Sequence, residues 1–236
     1  MITSKDCWLK ETCKKYNDLS KECECRNSDS FCMRLFKLDG LYNEALLSPS
    51  QRNRVPLFVD ADGTDEAQFS TLADIQNNIV KFVREGRNLY IHSNITGNGK
   101  TAWAIRFIQS YFNIIWPRVG MECKALFINV PRFLLALKDN ISVKNDYVEH
   151  IKANVLNADL VVWDEVGTKG LTQFEHEHLL NLINARIDCG KSNIYTSNLA
   201  PHELREAVGE RLYSRIVNLS TEVELHGKDK RRLNVQ

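Results

Sequence analysis

The sequence predicts an α/β fold, a parallel sheet flanked by helices, preceded by a small cysteine-rich module. Three observations lead there. A glycine-rich turn stands between an apolar strand and a helix. A second apolar strand ends in two acids. Five of the seven cysteines fall within the first 32 residues.

The turn is Asn94-Ile95-Thr96-Gly97-Asn98-Gly99-Lys100-Thr101, between the run Leu89-Tyr90-Ile91 and a helix-compatible stretch from Ala102 to Phe112. Strand, glycine-rich turn, Lys-Thr and helix is the layout that cradles nucleotide phosphates. Gly97 and Gly99 have no Cβ, so the backbone can turn tightly and aim several N–H groups at one spot. The helix adds the positive end of its dipole. Lys100 is expected between the β- and γ-phosphates of ATP, and the Thr101 hydroxyl on Mg²⁺. Thr96 and Asn98 complete the loop. Such loops usually open on glycine, where this chain has Asn94. Asn tolerates left-handed backbone angles, so the turn is retained.

Ala158 to Glu165 reads as a buried parallel strand, a continuous apolar run ending in Asp164-Glu165. Open α/β sheets bind ligands at the carboxyl ends of their strands. Asp164 is expected to hold Mg²⁺ through water, and Glu165 to polarise the attacking water.

The rest of the core alternates. A helix is expected from Leu72 to Arg84, a strand from Ala125 to Val130, and a helix from Pro131 to about Lys138. Further helices are expected over Tyr147 to Leu156 and Phe174 to Ile187, with a strand over Ser192 to Asn198. Alternation of this kind predicts right-handed crossovers and a parallel sheet. Asn198 closes its strand where it could bond the attacking water or the γ-phosphate. Gly209 to Ile216 reads as a helix with Arg211 and Arg215 one turn apart. Asp60 to Asp65 lacks the glycine and the final glutamate of a calcium loop and reads as a solvated acidic turn. The tail Gly227 to Arg232 is basic, with solvation as its default state.

A chain of 236 residues with 43% hydrophobic content supports one substantial core and a small appendage. Net charge is +1, so nucleic-acid contact has to come from local patches. No run of 18 apolar residues occurs and the amino terminus is no signal peptide, so a cytoplasmic protein without membrane partners is expected. In that compartment clustered thiols suggest zinc rather than disulfides. Cys7, Cys13, Cys25 and Cys32 are the expected ligands, with Cys23 as the spare. Irregular spacing leaves free thiols on a flexible arm as the alternative.

Together, Gly97 to Ala104, the Leu160 to Glu165 strand, Tyr195 to Asn198, Gly209 to Arg215 and the Gly-x-Asp-x-Arg of the tail resemble the DnaC/DnaI-type helicase-loader ATPases, a branch of the AAA+ family, and phage-encoded members in particular. The resemblance spans residues 70 to 232. It implies that Lys100 and Thr101 form Walker A, and Asp164 and Glu165 Walker B. Asn198 matches sensor 1. Arg215, with Arg211 nearby, matches an arginine finger acting on a neighbour's ATP. Arg231 matches the sensor 2 arginine, with Arg232 adjacent. Residues 1–45 would then be a helicase-docking module, 46–70 a linker, and 71–236 an AAA+ ATPase domain. The implied partners are a replicative hexameric helicase, single-stranded DNA, and further copies of the chain in a ring or spiral. Two other readings stay open: an IstB-like transposition helper ATPase on duplex DNA, and a nucleotide-gated adaptor with negligible hydrolysis.

Overall fold

Continuous apolar runs build the sheet. The computed structural model describes residues 7–10, 13–18, 31–53, 57, 59, 60, 62–140, 143–168 and 170–230. Among these, β1 (Asn88–His92), β2 (Ala125–Asn129), β3 (Leu160–Asp164), β4 (Ser192–Ser197) and β5 (Ser220–Glu224) pair in the order β2-β3-β4-β1-β5, all parallel. β1, β3 and β4 are buried along their whole length, because helices cover both faces.

Alternate strand residues enter two separate cores. Leu89, Ile91, Leu160, Val162 and Ile194 face α1 (Met33–Glu44), α2 (Glu66–Asn77), α3 (Ile79–Arg84) and α4 (Lys100–Ile115). Tyr90, Val161, Trp163 and Tyr195 face α5 (Val130–Asp139), α6 (Asp146–Asn154), α7 (Gln173–Asp188) and α8 (Pro201–Val208). The first core also takes Leu35, Leu38, Leu41 and Tyr42 of α1. Beyond α1, the Ala45 carbonyl accepts the Phe127 N–H of β2 at 2.9 Å.

Four expectations change. The helix expected from Leu72 to Arg84 starts earlier, at Glu66, and is two helices, because the backbone of Asn78 (φ −108°, ψ 23°) leaves helical geometry. The expected Gly209 to Ile216 helix is one short turn, α9 (Glu210–Tyr213), followed by a wider π turn over Ser214–Asn218. Arg211 and Arg215 therefore do not stack as an α-helical pair. The acidic turn is solvated only in part, at Asp62 and Gly63. Asp65 is buried and accepts the N–H groups of His226 and Gly227, each at 2.7 Å. The start of the basic tail is only partly solvated: Lys228 keeps an exposed side chain but donates its N–H to Asp60 at 3.2 Å, and Lys230 is buried.

One buried cation pins the end of the sheet opposite the two acids. Arg186 is wholly buried on α7. It donates to Asn193 Oδ1 at 2.7 Å, Ala158 O at 2.8 Å, Ser192 O at 2.6 Å, and the carbonyl of Val155. Burial pulls its pKa down to about 10, still far enough above neutrality to keep it charged. Replacing it strands several buried acceptors at once. Arg186→Met should lower unfolding stability by about 3 kcal/mol or more in urea titrations; a loss under about 1 kcal/mol would show that these carbonyls are satisfied otherwise.

Candidate nucleotide-binding site

The carboxyl ends of β1, β3 and β4 open into a cavity of about 450 Å³, within the range of small-molecule sites. Gly97, Asn98, Gly99, Lys100 and Thr101 line it, with Asp164, Glu165, Thr196, Ser197 and Asn198. Ile105, Arg106 and Gln109 extend the lining along α4, together with Ser50, Gln51 and Leu57.

The loop turns where its glycines allow it. Gly97 (φ +77°) and Gly99 (φ +109°) take left-handed backbone angles. A Cβ on Gly97 would also collide with the Asp229 carboxylate. Asn94 does not adopt a left-handed backbone, so the missing first glycine costs no strain here. Asn94 and Thr96 are exposed and do not line the cavity. Lys100 Nζ donates to Ile95 O at 2.8 Å, Asn98 Oδ1 at 3.1 Å and Ser93 O at 3.3 Å. Acceptors of the loop itself thus hold the ammonium at the cavity.

Asp164 joins three strand ends. Its Oδ1 accepts the Thr101 hydroxyl at 2.9 Å and the Thr196 hydroxyl at 2.7 Å. Burial pushes its carboxyl above the ordinary range, and the Glu165 carboxylate pushes the same way against the hydroxyl bonds. A hydroxyl and a carboxylate side by side are the hard oxygen donors that suit Mg²⁺. Glu165 sits at φ +62°, a strained angle for a residue with a side chain. Its N–H donates to Thr196 Oγ1 at 3.0 Å, and its carboxylate accepts Asn129 Nδ2 at 3.0 Å.

Thr196, Asn129, Gln109 and Lys230 escaped the sequence reading as site residues. Thr196 stands two residues before Asn198, inside a strand already recognised. Asn129 ends β2, and only the rule that ligands meet strand ends could have drawn attention to it. Lys230 donates its N–H to Gly97 O at 3.0 Å, and its ammonium lies 3.6 Å from Asp60 and 4.8 Å from the Phe69 ring centre.

The arginines of α9 and the following turn do not line the cavity of their own chain. Arg211 is exposed, and Arg215 Nε donates to Asn184 Oδ1 at 2.7 Å. Arg231, Cys23 and Cys25 lie outside the described residues. The zinc expectation finds no support: among the described residues no three His, Cys, Asp or Glu side chains assemble to hold a metal. Cys7, Cys13 and Cys32 are free thiols, and Cys7 and Cys32 pack against the first core. Burial raises the Cys7 pKa, and the neighbouring Cys32 and Cys13 push the same way. Among the described residues no helix is long and apolar enough to cross a membrane.

A family described as IstB-like ATP binding protein matches residues 49–234. None of the curated proteins matches the chain. Among solved structures, the chain is similar to the DnaC helicase loader, at 18% identity over 76% of this chain and 100% of that one, with a TM-score of 0.59. It is also similar to DnaI, at 20% identity over 80% and 100% of the two chains, with a TM-score of 0.56. A third likeness is to the replication initiator DnaA bound to AMPPCP and single-stranded DNA, at 18% identity over 74% and 50%, with a TM-score of 0.54. At these identities the likenesses establish a shared fold, a parallel sheet flanked by helices.

The raised Asp164 pKa has a consequence for stability. The native state holds this proton more tightly than the unfolded chain, so stability falls as pH rises from the ordinary carboxyl range through the raised one. Asp164→Asn removes the buried charge yet keeps an acceptor for both hydroxyls. Its thermal midpoint at pH 7 should exceed that of the parent by roughly 2 to 4 °C, with the gain shrinking as pH falls through the raised carboxyl range and gone below the ordinary one. A lower midpoint at pH 7 would contradict the assigned charge penalty.

Proposed function

Since this chain belongs to the IstB-like ATP-binding protein family, we propose that it is an ATP-dependent loader of a replicative DNA helicase onto single-stranded DNA. The observation that carries the ATP chemistry is the meeting of the Lys100-Thr101 loop with Asp164 and Glu165, the Thr101 hydroxyl 2.9 Å from the Asp164 carboxylate. The fold shared with the DnaC helicase loader and DnaI supports the loader assignment.

In this reading the N–H groups of the Gly97 to Thr101 turn and the Lys100 ammonium bind the triphosphate. Thr101 and Asp164 would hold Mg²⁺, which would neutralise phosphate charge. Glu165 takes a proton from the attacking water, its carboxylate oriented by Asn129. Asn198 positions the water or the γ-phosphate. Arg215, which does not line its own chain's cavity, acts on the ATP of an adjacent copy, with Arg211 beside it. ATP binding sets the assembled state around single-stranded DNA, residues 1–45 grip the hexameric helicase, and hydrolysis releases it.

The family's IstB-like description favours a second reading, a transposition helper on duplex DNA. Capture of a helicase rather than a transposase from host extract, with tighter binding to single than to double strands, selects the loader; the reverse pattern selects the helper.

Substitutions test the motor directly. Lys100→Ala should abolish ATP uptake. Arg215→Ala should leave uptake nearly intact but cut turnover stimulated by helicase and DNA by about a thousandfold, as loss of an arginine finger does elsewhere. Phosphate release at the parent rate from Arg215→Ala would exclude a shared site.

A further inference from the structure

A second cavity, of about 820 Å³, is lined by residues of α1, α2 and α4 together with residues 7–10, 52 and 53. Its volume is in the range of small-molecule sites. Neither the phosphate loop nor the acid pair lines it. Four cations do, Lys10, Arg34, Arg52 and Arg106, and among the described lining residues there is no Asp or Glu. Arg52 is paired with Asp39. Arg34 has no such partner. Among the described residues its guanidinium makes one hydrogen bond, from Nη2 to Asn113 Oδ1 at 2.9 Å, and that neutral amide lines the same cavity. Its Nε is buried and makes none. A partly buried guanidinium without a carboxylate is costly, and proteins normally pair it. Trp8 repeats the pattern. Its ring packs edge-on against Tyr42, with centres 5.2 Å apart, and both rings line the cavity. Its Nε1–H is buried without an acceptor. Two lining side chains thus carry buried donors that the described residues leave unmatched.

Unmatched donors in a cation-lined cavity select a ligand that is anionic and rich in acceptors. A guanidinium fork fits two oxygens of one phosphoryl group and leaves a third for another donor. A phosphoryl group also brings more charge than a carboxylate, which suits a wall of several cations. We infer that this cavity is a second ligand site, taking a small phosphorylated molecule held by Arg34 and by the Trp8 N–H within the positive field of Lys10, Arg52 and Arg106. The site stands whether or not the first cavity takes ATP, since neither Arg34 nor Trp8 lines that cavity.

Calorimetric titration of pyrophosphate into the full chain carrying Lys100→Ala, whose phosphate loop has lost its cation, reads the second cavity alone. Saturable binding is expected. Adding Arg34→Met should weaken it by about tenfold or more, and adding Trp8→Phe, which keeps an aromatic ring and removes the N–H, by about fivefold. Succinate, a carboxylate probe, should bind at least about tenfold more weakly than pyrophosphate. In the chain that keeps Lys100, Arg34→Met should leave ATP uptake within about twofold, as independent sites do. Arg34→Met strands no carboxylate, so it should fold. Pyrophosphate should raise the thermal midpoint of Lys100→Ala and leave that of the double variant unmoved. Three results would each overturn the site: no pyrophosphate uptake by Lys100→Ala, uptake indifferent to Arg34→Met, or equal uptake of succinate. A single-stranded oligonucleotide whose binding depends on Arg34 while pyrophosphate is ignored would give the surface to nucleic acid and overturn it as well. Failure of the parent to bind ATP, with Arg34-dependent pyrophosphate uptake intact, would sink the nucleotide reading of the first cavity and uphold this second site.

Discussion

One buried carboxylate organises the site. Asp164 ends β3 and accepts hydroxyls from Thr101, on the helix that follows β1, and from Thr196, on β4. Those two bonds set the phosphate loop against the acid pair across the intervening strand. They are bought at a cost, since a carboxylate that is almost wholly buried resists ionisation. The neighbouring residue carries a second cost, a left-handed backbone angle on a non-glycine residue. Strain and a buried charge thus meet at one strand end, as they do at sites whose geometry serves something other than stability.

The same loop is gripped from its other side. Residues 225–230 run beside it, with Leu225 donating to His92 O at 2.9 Å, Asn98 donating to Leu225 O at 3.3 Å, and Lys230 donating to Gly97 O at 3.0 Å. Asp60 and Asp65 then hold that segment through its backbone N–H groups. Residues more than 120 positions apart thus converge on one turn. The glycine at position 97 meets two demands together, a left-handed angle and room for the Asp229 carboxylate. A loop clamped in this way keeps its N–H groups aimed at one place, which is how preorganised donors gain strength.

The sheet explains why this arrangement is rigid. Each central strand sends alternate side chains into two cores, so any shift in register would expose apolar groups on both faces. Arg186 secures the opposite end of β3 and β4 through buried carbonyls. With both ends tied, Asp164, Thr196 and Glu165 have little freedom to drift.

Much of this was legible in the residues alone. Local chemistry was enough for the α/β alternation, the glycine turn and the acid-tipped strand, because each depends on neighbours in sequence: apolar runs, missing Cβ atoms, a Lys-Thr pair opening a helix. Tertiary structure decided what depends on distant partners. Thr196 and Asn129 look like ordinary strand-end polar residues until β2, β3 and β4 are laid side by side. Asp60, Asp65 and Lys230 read as solvated charges because burial of a charge is set by what packs around it, more than 150 positions away in sequence. The wide turn after α9 was invisible for the same reason, since α-helical spacing predicts faces only where the helix persists. Cysteine spacing proposed a metal that the described residues do not assemble, because a ligand set is a fact of three-dimensional proximity and not of density along the chain.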